Sequence, residues 1–318
     1  MKTKKRKGTR LSYIWEFLKS APRVLKYKLF KVAPSHEKIG KYKQITMNES
    51  VVALQTAIQR GKPFAAIRFG GTEISAFNGY EKKRLGFARK YSKNVKYALK
   101  NNGGFFPTDE ENIDNYGEYL LNILGGTTLL GISGLHMENY FFKHYCPSAK
   151  PVQNWAFDPI LGRWSHLLEG KRVLVISPLA EQIEEQYKKR KLLFGEESNI
   201  LPEFTLITIK AVQTIAKETD ERFSNWFEAL DYMKVQILKH EFDIALVGAG
   251  AYGTPLCLFI NSLNKQAIQS GGATQLLFGI IGKRWEKRNY ISRYINEHWQ
   301  RPNLKPKGAH NVENGCYW

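Results

Sequence analysis

Cysteine is scarce in this chain, and the few thiols form no pattern. Cys146, Cys257 and Cys316 are widely separated, odd in number and outside any CxxC or Cys/His spacing. That excludes a disulfide-built scaffold, offers no zinc-site pattern and fits a reducing cytoplasm. Acidic residues are also few, 29 against 48 Lys and Arg. An uninterrupted membrane span is missing as well. The longest uncharged run, Ile244 to Asn264, reaches bilayer length, but Gly248, Gly250, Gly253 and Pro255 break it into strand, turn and helix. After MKTKKRKGTR, the segment LSYIWEFLKSAPRVLKYKLFKV is interrupted by Glu16, Lys19 and Arg23, so no signal-peptide core follows. GxSxG, Walker A and HExxH sequences are absent, which removes the usual marks of hydrolases, ATPases and metalloproteases. His136, His144 and His166 have no metal-ligand spacing and read as structural.

What the chain does have is a core and an uneven charge. With 318 residues, 43% of them apolar, it can build one large domain or two modest ones. The net charge of +19 is concentrated at the start: residues 1–46 hold fourteen Lys and Arg against Glu16 and Glu37, a net +12. No nucleic-acid-binding motif accompanies it, so nucleic acid is not the expected partner. Leu11, Ile14, Trp15, Leu18, Leu25, Leu29 and Val32 fall near helical spacing, and Pro22 is expected to divide the segment. A basic amphipathic helix of this kind suits an anionic membrane surface, here through residues 1–32 on the inner face of the cell membrane; the alternative is a helix packed on the domain with its basic face in water. The division expected is a basic tail, 1–46, and an α/β domain, 47–318, with a possible subdivision near 161–171.

Strands and helices alternate through the rest. Asn48 is expected to cap a helix that stops at Gly61, and Thr108-Asp-Glu-Glu111 reads as a capping box. Strands are expected at 64–69, 127–133, 151–157, 171–177, 204–210, 242–248 and 266–270. Helices are expected at 179–194, 224–240 and 254–265. Short β-branched runs separated by helices imply parallel strands and crossovers: an α/β, doubly wound, mostly parallel Rossmann-like sheet with helices on both faces. In such folds ligands lie beyond the carboxyl ends of the strands.

Three glycine corners stand at those ends. Gly248-Ala-Gly-Ala-Tyr252-Gly253 is a GxGxxG between a strand and a helix, where backbone N–H groups and the helix N-terminus can receive a diphosphate. The same glycines also fit a bare tight turn. The next strand ends in Gln269-Ser-Gly271-Gly272-Ala-Thr-Gln275, without the carboxylate that a dinucleotide fold uses on ribose. Beyond it, Lys283 and Arg284 offer phosphate-neutralising charge and Trp285 a stacking surface. Ser177, Glu181 and Gln213 follow two other strand ends, and Gln186, Tyr187 and Arg190 lie on the helix after Glu181. The third corner is IRFGGTE, residues 67–73. There Gly70 and Gly71 leave room for a ligand, Arg68 is expected to hold a phosphate or orient the carboxylate, and Glu73 to act as base or metal ligand. A buried Arg68–Glu73 pair that only fixes the loop is the alternative.

These residues resemble the bacterial GT-D-type glycosyltransferases, through the strand-end pattern RxGDGE, present here as Arg68-Phe-Gly-Gly-Thr-Glu73. Over about residues 60 to 318 the chain more closely resembles a family of proteins from surface-polysaccharide gene clusters (capsule and O-antigen). WSHLLEGKRVLVISPLAEQIEEQYKKR, ALVGAGAYGTPL, SGGATQLLFGIIGKRW and VENGCYW carry that likeness. The resemblance implies a nucleotide-sugar donor, UDP-linked by preference, and transfer to a saccharide or lipid-linked acceptor. Arg68, Gly70 and Glu73 take the motif's site roles. The Asp of the motif is Gly71 here, which removes a metal or substrate contact and leaves dependence on Mn or Mg open. An NAD(P)-linked oxidoreductase and a non-catalytic nucleotide-binding scaffold of polysaccharide assembly remain as other readings of the glycine turns.

Overall fold

The computed structural model describes residues 8–30, 38–216, 218–312 and 315–318. Helix α1, Arg10–Phe30, runs unbroken through Pro22. The expected division fails because Pro22 frees only the carbonyl of Leu18, a residue on the solvent side of the helix. In α2, Met47–Gln59, the cap is Thr46 rather than Asn48. Thr46 Oγ1 accepts from Glu49 N at 3.2 Å while Glu49 Oε2 accepts from Thr46 N at 3.1 Å; starting from Asn48, the third helical residue would be Val51, which has no carboxylate to return.

Strand β1, Phe64–Arg68, leads into α3, Gly71–Arg84, then α4, Lys93–Ala98, and a π-helical turn at Leu99–Gly103. Helix α5 is Glu110–Ile123; its cap is Asp109, accepting from Asn112 N at 2.9 Å, not Thr108. A carboxylate at that position also meets the positive end of the helix. Next come β2, Leu129–Ile132, α6, Glu138–Tyr145, and β3, Lys150–Gln153. The expected strand 151–157 stops early, because residues 154–157 turn into a 3-10 helix.

The second half holds β4, Arg172–Ser177, α7, Ala180–Lys188, α8, Arg190–Leu193, β5, Thr205–Lys210, and α9, Trp226–Leu238. It closes with β6, Ile244–Val247, α10, Gly253–Ser262, β7, Gln266–Ile268, α11, Thr274–Leu277, and α12, Asn289–Ser292. The helix expected over 179–194 is broken at Lys189 into α7 and α8.

All seven strands join one parallel sheet, in the order β3-β2-β1-β7-β6-β4-β5. Strands on both sides of the 161–171 segment belong to it. Side chains alternate across the sheet, and each face has its own core. Ala65, Ile67, Leu174, Ile176, Ala245 and Val247 pack under α3, α5, α6, α9 and α10. Phe64, Ala66, Val173, Val175, Leu246 and Ile268 pack under α2, α7 and α11. Strand β4 feeds β5 on one side whereas β6 feeds β7 on the other, so the chain opens a crevice where their carboxyl ends part.

Candidate functional site

A cavity of about 370 Å³ occupies that rim. This volume falls within the range of small-molecule sites. Five strand ends contribute to its wall: Arg68 to Glu73 after β1, Ser177 to Leu179 after β4, Val212 to Ile215 after β5, Val247 to Tyr252 at β6, and Gln269 to Gln275 after β7. The three glycine corners therefore meet in one space.

Arg68 ends β1, with its backbone N–H donating to Gln269 Oε1 at 3.0 Å. Its guanidinium lies over Gly271: a Cβ there would stand 2.5 Å from one of its nitrogens, and the backbone has φ +58°. The positive φ favours glycine at 271, and a side chain there would push the guanidinium aside. Among the described residues, Arg68 and Glu73 form no ion pair, and the Arg68 guanidinium has no carboxylate within ion-pair distance. The pairing expected as a loop fastener is absent, and the guanidinium faces the cavity.

Glu73 is the third residue of α3, whose cap is Gly70. It is 8% exposed. Burial raises its carboxyl above the ordinary 4.5, while the N–H groups of Glu73 and Gly70 and the Arg68 charge pull the other way without winning. Its position in the first turn makes the negative charge tolerable. An acid held in this balance suits proton uptake nearer neutrality than a solvated glutamate does.

The second corner is shaped by contact with the third. A Cβ on Gly248 would meet the Gly271 carbonyl and Thr274 Oγ1, both at 2.8 Å, so only glycine lets the two turns touch. Gly250 takes φ +52°, and a Cβ on Gly253 would lie 2.7 Å from Gln269 Nε2. Gln269 is buried and engaged: its Oε1 also accepts from Thr254 Oγ1 at 3.1 Å. It stands where a ribose-binding carboxylate would be needed in a dinucleotide site.

Aromatic residues line the floor and one side. Tyr252 stacks on Trp226, centroids 5.0 Å apart and planes 9° from parallel. The π-helical turn brings Asn102 and Gly103 to the wall. The other side comes from the end of the chain, which folds back over the rim: Arg284 N donates to the Cys316 carbonyl at 2.9 Å. Tyr317 and Trp318 reach the wall there. Arg284, also on the wall, lies 4.6 Å over the Tyr317 ring and donates to its hydroxyl at 3.0 Å. Sequence reading missed Asn102, Thr214, Tyr317 and Trp318; the NNGG at 101–104 and the closing aromatics were the available signals.

Several expected residues lie elsewhere. Lys283 is exposed and off the wall, because Gly282 turns the chain under the Tyr317 carbonyl before it can point inward. Trp285 is buried in the core beneath, leaving the aromatic surface to Tyr317. Gln275 is buried at the wall, with its amide donating to the Ile280 and Tyr317 carbonyls, so it fastens the chain end. Gly272 does reach the wall, and it packs under the Tyr317 ring: a Cβ there would stand 2.6 Å from that ring. Glu181 pairs with Lys210 at 2.9 Å, and Gln186 and Tyr187 bond backbone carbonyls within the fold. Arg190 pairs with Glu203. His136 contacts Ser20 and Phe17.

The donor set does not fit a resident divalent cation. Among the described residues Glu73 is the one carboxylate on the wall, and Arg68 and Arg284 bring positive charge beside it. No group of three or more His, Cys, Asp or Glu is arranged to hold a metal among the described residues. Hard divalent cations are held chiefly by carboxylate oxygens, and the described wall sets a single acidic side chain beside two arginines.

No family model matches the chain, and no curated protein matches it. Two solved structures of domain of unknown function 1792 do. One is selenomethionine-substituted, 12% identical, with a TM-score of 0.44 over 83% of this chain and 91% of that one. The second, described as having a distinct glycosyltransferase fold, is 11% identical with the same TM-score and the same coverage.

Proposed function

We propose that the cavity binds a nucleoside-diphosphate sugar, UDP-linked by preference, and that the protein transfers the sugar to a hydroxyl of a saccharide or lipid-linked acceptor in surface-polysaccharide synthesis. The observation that carries this reading is the meeting of Glu73, Arg68 and the glycine turns at 248–253 and 271–272 on one cavity wall. The turn before α10 offers backbone N–H groups and a helix N-terminus to the diphosphate. Arg68 and Arg284 supply charge from two other sides, and the aromatic rings of Tyr317 and Trp318 on the wall give the base an apolar neighbour.

In the proposed reaction Glu73 takes the proton of the acceptor hydroxyl. The acceptor oxygen bonds to the anomeric carbon, and the bond from that carbon to the β-phosphate oxygen breaks. The electron pair leaves with the nucleoside diphosphate, whose charge Arg68 and Arg284 meet. The buried Gln269, whose Oε1 accepts from Arg68 N and Thr254 Oγ1, weighs against a nicotinamide dinucleotide, which would need a carboxylate there.

A melting-temperature screen with UDP-sugars, GDP-sugars and NAD(P) separates these ligands, because one that binds the native state raises its stability. Sugar transfer is then measured with Glu73→Gln. The expected result is nucleotide binding retained and transfer abolished. Unchanged transfer removes Glu73 from the reaction, and stabilisation by NAD(P) alone overturns the donor.

A further inference from the structure

No helix of the described residues is long and apolar enough to cross a membrane. Helix α1 nevertheless carries an apolar stripe that the other described residues leave uncovered. Its inward face is fixed: Tyr13 is buried and bonds Asn78, Glu16 is buried and bonds Asn139, and Ser20 Oγ meets His136 Nδ1 at 2.9 Å. Lys143 Nζ donates to Glu16 at 3.2 Å. At the start of the helix, Arg10 Nε donates to the Leu85 carbonyl at 2.6 Å. These contacts set the rotation of the helix on the domain.

With that rotation, positions 11, 14, 15, 18, 25 and 29 fall on the outward side, one stripe at helical spacing. Leu11 is 80% exposed, Trp15 61%, Leu18 60%, Leu25 57% and Leu29 64%. Lys19 lies over the Trp15 ring at 4.7 Å, a cation at the edge of the stripe. The helix sequence contains Arg10, Lys19, Arg23, Lys26 and Lys28 against a single acid, Glu16. That acid is the one turned inward and neutralised by Lys143, so no carboxylate of α1 opposes an anionic surface.

From this we infer that α1 lies on an anionic lipid surface, its stripe in the interface and Lys19, at the edge of the stripe, among the head groups. The stripe is apolar, the charge of residues 1–46 is +12, and the only acid of the helix is withdrawn. Each basic residue near such a surface strengthens association about fivefold, and a stripe of leucines with a tryptophan supplies the insertion. A second copy of the chain would bring the same positive charge against itself.

The test uses the full chain and sedimentation with two kinds of vesicle, phosphatidylcholine alone and phosphatidylcholine with phosphatidylglycerol. Binding is expected only to the mixed vesicles, weakening as salt is raised. Trp15→Ser with Leu18→Ser is expected to lower it roughly tenfold or more with the melting temperature unchanged, since both side chains are exposed. Lys19→Glu should weaken it with a reduced dependence on salt. Failure to bind mixed vesicles, or binding unaltered by the double substitution, overturns the inference. So does a dimer that the double substitution dissolves. Vesicle binding reads this helix alone and is indifferent to what the cavity holds.

Discussion

The Glu73 carboxylate folds back over Gly70, so closely that a Cβ at residue 70 would overlap Glu73 Oε2. The cap glycine of α3 is thus also the seat of the proposed base. Gly70→Ala should leave the fold standing, because the obstructing atom is the end of a flexible side chain, but it should swing the carboxylate off its position. A displacement of about 1 Å at a reacting group costs on the order of 100-fold in rate. Steady-state transfer should fall by about that factor, with the affinity for nucleoside diphosphate little changed.

The raised carboxyl of Glu73 gives a stability signature independent of any substrate. Its folded-state value lies above the unfolded one, so its contribution is fully present below the ordinary 4.5 and is lost as pH rises through the folded value. Glu73→Gln should therefore raise the melting temperature at pH 8, and the advantage should shrink as pH falls toward 4.5. Melting curves over that range check the sign.

Gly71 is where the resembled motif has Asp. A Cβ there would meet nothing within 4 Å, and residue 71 opens α3, where a carboxylate is favoured. Gly71→Asp should fold and should add a second carboxylate to the wall. Mn²⁺ should then raise the melting temperature of the variant more than that of the wild-type protein, as read by scanning fluorimetry with and without the ion.

Arg284 and Lys283 are neighbours in sequence with opposite placements. Arg284→Ala removes a cavity cation and the support of Tyr317, and should weaken nucleoside-diphosphate binding about tenfold or more. Lys283→Ala, at an exposed residue off the wall, should leave it unchanged. Calorimetric titration of the two variants separates the roles.

The strands are legible because β1, β4 and β6 are short apolar runs buried on both faces, and the glycine corners because they follow such runs directly. Sequence pattern puts Glu73 at a turn rather than inside a 14-residue helix, since α3 opens on Gly71 and carries Gly79, which blur helical periodicity. Tyr317 is invisible as a wall residue, because its contact with Gly272 joins distant parts of the chain and leaves no local pattern. Trp285 and Lys283 are misplaced for the same reason: which side of a turn faces the cavity depends on the chain end packed against it. The inward turn of Glu16 is likewise set by Asn139 and Lys143, far along the chain.

Hydrogen exchange of the full chain, with and without a saturating UDP-sugar, tests most directly that the rim is a nucleotide-sugar site. The account predicts slowed exchange in three separate segments, 68–73, 248–253 and 271–275, with the rest of the sheet unchanged. No protection, or protection confined to other parts of the molecule, would contradict it.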